Sequence, residues 1–211
     1  MDKMKDIVIV GNGGFAREVE FLLNRINEVE PTWNFLGYVD DCKDDLSVWG
    51  TDNDLLSYNE ELFVAIAIGT SSVRRRLYQQ YCKNDKLQFP NLIDPSVIMS
   101  NRVRLGMGNI ICAGCILTVD ISIGDFNILN LDCTVGHDAI IENYVTINPS
   151  VNLSGNTHVK PLCNLGTGSQ IIQGKKIGEN VTLGAGAVVV TDIEENCVAV
   201  GVPAKVVKRN E

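Results

Sequence analysis

Residues 129–153 read LNLDCTVGHDAIIENYVTINPSVNL and carry an aliphatic side chain at every sixth position. The same step of six continues in both directions without an insertion. A fixed period of this kind indicates an architecture of repeated structural units. Seventeen positions follow the period, and each of them holds Ile, Leu, Val or Met: Ile93, Met99, Leu105, Ile111, Leu117, Ile123, Leu129, Val135, Ile141, Ile147, Leu153, Val159, Leu165, Ile171, Ile177, Leu183 and Val189.

The hexapeptide period has a direct structural interpretation. Each short strand points one large aliphatic side chain inward, a turn follows, and three such strands close a triangular coil. Coils of this size stack Ile111, Leu129, Ile147, Leu165 and Leu183 in one interior column. Each coil hydrogen-bonds to its neighbours, so the core is continuous along one direction. The sequence therefore predicts a parallel β-helix over residues 91–211.

A second interior position is predicted four residues after each aliphatic, where the side chain is mostly small or β-branched. Cys115, Cys133 and Cys163 occupy this position, which suits buried thiols that behave as small hydrophobic groups. The spacing Cys112-x-x-Cys115 is also found in metal sites, but no second pair accompanies it. We therefore expect core cysteines and no metal.

Residues 1–90 follow a different pattern. Ile7–Val10 is typical of a buried strand, and GNGGFA over residues 11–16 precedes apolar residues at helical spacing. Gly11, Gly13 and Ala16 fit G-x-G-x-x-[GA], a motif whose backbone N–H groups approach a phosphate at a helix N-terminus; Gly14 lies within it. The alternative is a tight strand-to-helix turn without a ligand.

Two further strand-like runs complete this part of the chain. Phe35–Val39 ends at Asp40, an acid placed to bind a ribose or a base. Leu62–Ile68 precedes a helix over Val73–Tyr81, whose first arginines, residues 74–76, we interpret as a solvated face. The alternative is that one of these guanidinium groups reaches a diphosphate. The alternation predicts a small Rossmann-like α/β domain. It is only half of a full dinucleotide fold, so we expect a sugar nucleotide as its ligand.

Composition excludes several partners. The net charge of -8 argues against nucleic acid, because phosphate backbones bind basic surfaces. The apolar runs are too short for a membrane span. The N-terminus shows no signal-peptide pattern, and the odd count of seven cysteines suits a reducing compartment. We therefore expect a cytoplasmic protein.

The two histidines narrow the search for chemistry. His137 follows the inward Val135 by two residues, at a turn where its side chain should point outward, and Asp138 is next to it. A carboxylate can hold one imidazole tautomer, and imidazole titrates near neutral pH, so the pair suits a general base. The alternative is a surface histidine at a β-turn. His158 falls at a different phase of the repeat, and we interpret it as structural or solvent-facing.

Several motifs together resemble the two-domain hexapeptide-repeat sugar acyltransferases. This family includes the bacillosamine-pathway UDP-amino-sugar N-acetyltransferases and the sialic acid O-acetyltransferases. The resemblance covers nearly the whole chain. It is carried by the glycine-rich turn, GYVDD at 37–41, GHD at 136–138 and GVPAK at 201–205.

The resemblance implies a left-handed β-helix, a homotrimer with active sites between subunits, and acetyl-CoA as co-substrate. It also implies acetylation of the amino group of a nucleotide-linked amino sugar, for surface polysaccharide or glycan biosynthesis. The alternative is O-acetylation of a sialic acid or a related sugar. A hypothesis from a different functional class is that the protein is a non-catalytic β-helix scaffold.

Roles for single residues follow from the same resemblance. His137 matches the general base and Asp138 the acid that polarises it, although a Glu is usual there. Asn130 matches an asparagine that contacts the acceptor amine. Thr146 stands where a second histidine is usual, and Phe15 where a histidine is usual in the glycine-rich turn. The residues assigned to the sugar nucleotide are Gly11, Gly13, Gly14, Asp40 and Asn130; those assigned to acetyl-CoA are Thr146, Gly155, Thr167 and Ala185.

Overall fold

The computed structural model describes residues 3–41 and 47–209. The first part of the chain is an α/β unit. Its elements in chain order are β1 (Lys5–Val10), α1 (Gly14–Val29), β2 (Trp33–Val39), β3 (Val48–Gly50), α2 (Asp52–Leu56), β4 (Leu62–Ile66), α3 (Ser71–Tyr81) and β5 (Leu87–Gln88).

The strands of this unit form one parallel sheet in the order β3-β2-β1-β4-β5. The chain moves to one side of β1 with β2 and to the other side with β4. The crevice between β1 and β4 is therefore a topological switch point, where α/β sheets bind ligands beyond the carboxyl ends of their strands. The sheet buries β1 completely from Ile7 to Ile9. The small Rossmann-like domain predicted from the sequence is confirmed.

The second part is a parallel β-helix, and its period is the predicted one. Each of the seventeen aliphatic positions ends a strand of two residues. The strands are β6 (Leu92–Ile93), β7 (Ile98–Met99), β8 (Arg104–Leu105), β9 (Ile110–Ile111), β10 (Ile116–Leu117), β11 (Ser122–Ile123), β12 (Ile128–Leu129), β13 (Thr134–Val135), β14 (Ile140–Ile141), β15 (Thr146–Ile147), β16 (Asn152–Leu153), β17 (His158–Val159), β18 (Asn164–Leu165), β19 (Gln170–Ile171), β20 (Lys176–Ile177), β21 (Thr182–Leu183) and β22 (Val188–Val189).

Every third strand lies on the same face of a triangular prism. Face 1 contains β6, β9, β12, β15, β18 and β21; face 2 contains β7, β10, β13, β16, β19 and β22; face 3 contains β8, β11, β14, β17 and β20. We call the turn from face 1 to face 2 the first corner, from face 2 to face 3 the second corner, and from face 3 to face 1 the third corner. After β22 the chain adds β23 (Cys197–Val200) and β24 (Lys205–Arg209), an antiparallel pair at the end of face 1.

The interior follows the predicted columns. Ile111, Leu129, Ile147, Leu165 and Leu183 stack in register and are at most 1% exposed. The small residues of the second interior position are buried as well, including Cys115, Cys133 and Cys163. Those three cysteines are free thiols inside the prism, which confirms the prediction of core cysteines.

Corner residues three places after the aliphatic adopt a left-handed backbone. Asp120, Asp132, Asp138, Asn156 and Asn180 all have φ between 54° and 59°. Asp and Asn tolerate this conformation better than most side chains, since their short polar groups bond locally. Asx residues thus occupy several of these corners, although Phe126, Tyr144 and Leu162 adopt the same backbone conformation at others.

The α/β unit packs sideways against face 1. The outward side chains of the first coils on this face, Leu92, Ile110 and Ile128, are at most 2% exposed because α1 and its neighbours cover them. Arg25 of α1 pairs with the buried carboxylate of Asp94 across this contact, with Nε to Oδ2 at 2.5 Å. None of the described helices has the length and apolar character needed to cross a membrane.

Candidate active site

His137 and Asp138 lie at the second corner, in the turn after β13. Nδ1 of His137 is 2.8 Å from Oδ2 of Asp138, and the two side chains are 52% and 61% exposed. The structure thus confirms the outward position predicted for this turn. Asp138 has φ of 59°, so the left-handed corner turns its short side chain back toward the preceding residue. The Asp that stands where the resemblance implied a Glu is therefore long enough to contact the imidazole.

Gly155 occupies the coil directly above His137. A Cβ built on Gly155 would stand 2.3 Å from Nε2 of His137, so the imidazole uses the space that glycine leaves open. Gly136 below is equally restricted, because its Cβ would stand 2.6 Å from the backbone N of Gly155. The second corner therefore forms a glycine-walled recess: the imidazole lies against Gly155, and Gly136 allows the two coils to approach closely. Gly155, assigned from the resemblance to acetyl-CoA, is thus an immediate neighbour of the imidazole.

His158 lies on face 3 and away from this recess. Its Nε2 is 2.7 Å from Oε1 of Glu142, which also pairs with Lys160 at 2.8 Å. These bonds hold the imidazole in a surface network, in agreement with the structural role that its phase in the repeat predicted. In the described part of the chain, no group of three or more His, Cys, Asp or Glu side chains is arranged to hold a metal ion.

A second group of candidate residues lies where the α/β unit meets face 1. A cavity of about 200 Å³ opens there. It is lined by both Asn130, at the first corner, and Thr146, on face 1. Its complete lining is Phe15, Glu18, Gly69, Ile128, Asn130, Thr146 and Asn148. From the sequence, Asn130 and Thr146 were identified only through the resemblance to a known family, and not through the repeat itself. Glu18, Gly69 and Asn148 were missed, because no local pattern marks a residue that another domain covers.

Thr146 joins the two domains. It is 4% exposed, and its hydroxyl donates to the backbone oxygen of Gly69 at 2.7 Å. Its Oγ1 also accepts from Nη2 of Arg74 at 3.0 Å. The hydroxyl is therefore engaged in the wall of the cavity. The resemblance had assigned Thr146 to acetyl-CoA, and the structure gives it an interdomain contact as well.

Arg74 contradicts the prediction of a solvated arginine face. The side chain is 1% exposed and donates to both domains. Nε bonds the oxygen of Phe126 at 2.8 Å, Nη1 those of Ile68 at 2.6 Å and Gly69 at 3.2 Å, and Nη2 that of Val145 at 3.3 Å. Burial lowers the pKa of Arg74 to about 9.

The error has a simple cause. Arg74 lies on the same side of α3 as the buried residues Ser71, Leu77 and Tyr81, whereas Arg75 and Arg76 point to solvent as predicted. A guanidinium can be buried when all its donors find partners. Here backbone oxygens and one hydroxyl supply those partners.

The glycine-rich turn lies at the carboxyl edge of the sheet. Gly11 has φ of 100°, and a Cβ there would stand 2.8 Å from Cδ1 of Ile68, so both the backbone and the packing favour glycine. Gly13 precedes the first turn of α1 without a side-chain cap, and a Cβ on it would meet nothing within 4 Å. The first N–H groups of a helix have no partner within the helix, which makes such an open end suitable for an anion.

The neighbouring strand ends bring Asp40 and Gly69 to the same edge. Asp40 follows β2, its side chain is half-buried, and its N–H donates to the oxygen of Gly50 at 3.1 Å. Gly69 follows β4 and also lines the interdomain cavity. The edge that carries the glycine-rich turn is therefore continuous with the cavity at Asn130.

The candidate residues do not all meet within one chain. Asn130, Thr167 and Ala185 lie at the first corner, and Thr167 and Ala185 are exposed in coils above Asn130. His137, Asp138 and Gly155 lie at the second corner. Face 2 separates the two corners, so a single prism presents the imidazole and the interdomain cavity on different edges.

Comparisons with known proteins agree with this architecture. Residues 6–81 match the family described as the PglD N-terminal domain. The acetyltransferase domain of PglB from Neisseria gonorrhoeae FA1090, solved in complex with acetyl coenzyme A, is 28% identical, with a TM-score of 0.90 over 97% of this chain and 100% of that one. PerB from Caulobacter crescentus, in complex with CoA and GDP-perosamine, is 30% identical, with a TM-score of 0.82 over 98% and 99% of the two chains.

Two further similarities differ in how much of the chain they cover. WeeI from Acinetobacter baumannii AYE is 29% identical, with a TM-score of 0.87 over 97% of this chain and 100% of that one. A serine acetyltransferase from Synechococcus elongatus is 36% identical over 84 residues, which cover 36% of this chain and 34% of the relative. The chain thus matches only about a third of the length of such curated relatives. The β-helix is of the left-handed type found in these acetyltransferases, as the resemblance implied.

Proposed function

The chain belongs to the hexapeptide-repeat sugar acetyltransferases of the bacillosamine type, and on that premise we propose that it transfers an acetyl group from acetyl-CoA to the amino group of a nucleotide-linked amino sugar. The observation that carries the proposal is the His137–Asp138 pair, exposed at a corner of the β-helix with its Nε2 in a glycine-walled recess. Solved relatives that bind acetyl coenzyme A or GDP-perosamine support the two substrates.

His137 is the proposed general base. Asp138 accepts a hydrogen bond from Nδ1–H of the imidazole, which leaves the lone pair on Nε2 free to take a proton from the acceptor. The acceptor nitrogen then bonds the acetyl carbon, the carbon–sulfur bond breaks, and the thiolate of CoA takes up the proton that His137 received. The backbone N–H of Gly155, in the coil above the imidazole, is our candidate for stabilising the developing oxyanion.

The nucleotide is assigned to the carboxyl edge of the α/β sheet. The open N-terminus of α1 at Gly13 and Gly14 suits a diphosphate, and Gly11 gives the turn its shape. Asp40 is placed to accept hydrogen bonds from the ribose or the base. The sugar would then extend toward Asn130 in the interdomain cavity.

A complete site requires a second chain, and we propose a homotrimer. The base lies at the second corner and the cavity at the first, so the second corner of one subunit would face the first corner of its neighbour. Face 2, which joins these corners, suits a subunit contact. Its outward residues in the described coils carry no charge, and they are Ile98, Ile116, Thr134, Asn152, Gln170 and Val188. On face 3, by contrast, Arg104, His158 and Lys176 point outward.

Acetyl-CoA would lie in the groove between two such prisms. Thr167 and Ala185, exposed at the first corner, are proposed to line the pantetheine channel, with Thr146 at its inner end. Acetyl-CoA supplies the acetyl group. The residues of this chain bind and orient the two substrates and deprotonate the acceptor. The free thiols fit a cytoplasmic reaction, and the product would enter the biosynthesis of a surface polysaccharide or another glycan.

The decisive experiment is a thiol-release assay with acetyl-CoA and a panel of UDP-, GDP- and dTDP-linked amino sugars. We expect at least one amino sugar to be acetylated, and His137→Ala to lower kcat by about 10³-fold, the size of a typical general-base contribution. His158→Asn is the matched control and should keep its activity. Full turnover by His137→Ala would remove His137 from the mechanism. Turnover of free sialic acid alone would favour the O-acetyl alternative. If no sugar were acetylated, the result would favour a non-catalytic scaffold.

A further inference from the structure

The interdomain cavity carries one ionisable group, and we infer that this group, Glu18, selects an amino sugar over a neutral or acidic sugar. The inference rests on the proposed function and deepens it, since it concerns the substrate class of the same site. Among the described residues that line the cavity, Glu18 alone bears a charge; its neighbours are apolar, amide, hydroxyl or glycine.

Glu18 reaches the cavity from the second turn of α1. It also lines an adjoining apolar cavity of about 260 Å³, whose walls are Phe21, Leu22, Asp94, Cys112, Ala113 and Leu131. The second carboxylate there, Asp94, is already bound by Arg25 through Nε at 2.5 Å and Nη2 at 3.0 Å. Glu18 therefore stands at the boundary of two cavities as a carboxylate directed toward ligand space.

The other polar side chains of the cavity each make at least one hydrogen bond within the protein. Oδ1 of Asn130 accepts from the N–H of Leu131 at 2.7 Å, which leaves its amide N–H groups to face a ligand. Nδ2 of Asn148 donates to Asn164 and Leu165. The hydroxyl of Thr146 donates to Gly69. The carboxylate of Glu18 is therefore the strongest hydrogen-bond acceptor offered to a sugar.

This charge discriminates between the two acceptor chemistries. An amino group carries a positive charge near neutral pH when protonated, and it still offers two N–H donors after losing a proton. Both forms satisfy a carboxylate, and the charged form does so by a charge-assisted bond. A hydroxyl offers one donor and no charge. The carboxylate of a sialic acid would instead be repelled.

No cation in the cavity wall offsets the repulsion. The guanidinium of Arg74 lies behind Thr146, and each of its nitrogens is bonded to Ile68, Gly69, Phe126, Val145 or Thr146. A substrate carboxylate could bind Arg74 only by displacing those contacts. The charge distribution of the cavity thus favours the amine.

The test compares wild type with Glu18→Gln, which keeps the size of the side chain and removes its charge. We expect KM for the nucleotide-linked amino sugar to rise about tenfold, as for the loss of one charge-assisted hydrogen bond, with KM for acetyl-CoA unchanged. Added salt should raise the wild-type KM and leave that of Glu18→Gln nearly constant. Glu28→Gln, at an exposed acid of the same helix, is the control and should behave as wild type.

The outcomes separate this inference from the proposed function. If wild type acetylates an amino sugar and Glu18→Gln does so with the same KM at every salt concentration, Glu18 has no role in selection. If wild type acetylates no amino sugar but does acetylate a sialic acid, the proposed function fails whatever the variant does. An unchanged preference for the amino sugar over its hydroxyl analogue in Glu18→Gln would likewise overturn the inference.

Discussion

The imidazole of His137 lies against the α-carbon of Gly155 in the next coil, so closely that a Cβ at residue 155 would stand 2.3 Å from Nε2. Stacking in a β-helix thus puts a residue eighteen places later beside the reactive nitrogen. Gly155 is not in the left-handed region, so its absent side chain is explained by the imidazole and not by the backbone.

Gly155→Ala should lower the activity of the enzyme with little loss of stability. The added methyl group must displace an imidazole that is 52% exposed and can move toward solvent, so the fold tolerates the change while the base is misplaced. We expect kcat to fall about 10²-fold, as when a general base loses its alignment. Steady-state kinetics and thermal unfolding check the two halves of this prediction.

A double-mutant cycle supplies the control for Gly155→Ala. In the His137→Ala background, the same glycine substitution should cost no further activity, because the displaced group is already gone. Additive losses in the double variant would show that Gly155 acts independently of His137.

Asp138→Asn should lower kcat while preserving the corner. Asn tolerates the φ of 59° at this position as Asp does, so the backbone is matched. The amide lacks the charge that stabilises an imidazolium and can hold the wrong tautomer. We expect kcat to fall about 10²-fold with KM for both substrates nearly unchanged. A variant that retained wild-type kcat across the pH range would leave Asp138 without a catalytic part.

Arg74→Met should weaken the contact between the two domains and lower the free energy of unfolding. The substitution leaves the backbone oxygens of Ile68 and Phe126, one on each side of the interface, without their side-chain donor, which costs about 3 kcal/mol of unfolding free energy. Denaturant unfolding measures this loss. Arg75→Met, one residue further along α3 and exposed, is the matched control and should change stability by less than about 0.5 kcal/mol. Equal effects of the two substitutions would contradict the role assigned to Arg74.

Stability should fall at acidic pH through Asp94. Burial opposes the charge of Asp94, but hydrogen bonds from Arg25 and Ser96 and the charge of Arg25 outweigh it and lower the pKa to about 2. Because the folded pKa lies below the unfolded value of about 3.9, the ion pair stabilises the fold above that pH and is lost as pH falls toward 2.

The contribution of this carboxylate, which is 2% exposed, is about 2 kcal/mol. Asp94→Asn should therefore be less stable than wild type at neutral pH and should converge with it near pH 2. Unfolding free energies measured from pH 7 to pH 2 decide the point. Parallel curves for the two proteins would show that Asp94 contributes no pH dependence.

Much of the β-helix was accessible from local spacing. A strand points one side chain inward at each step of six, and a single insertion would move every later residue out of the core. Local spacing therefore predicts the register of residues 93–189. It also predicts the outward position of His137 and the burial of the cysteines. The glycine-rich turn was also predicted from local spacing, and the structure adds the reason for Gly11, which has a positive φ and packs closely against Ile68.

Long-range packing decided the rest. The burial of Arg74, the hydrogen bonds of Thr146 and the place of Glu18 in the lining of a cavity depend on how the α/β unit lies against face 1. No periodicity in either segment specifies that contact. The separation of His137 from Asn130 by a whole face is likewise a property of the folded prism. Local spacing determines which way each side chain points, because it is repeated at every coil; only the folded chain determines what that side chain meets.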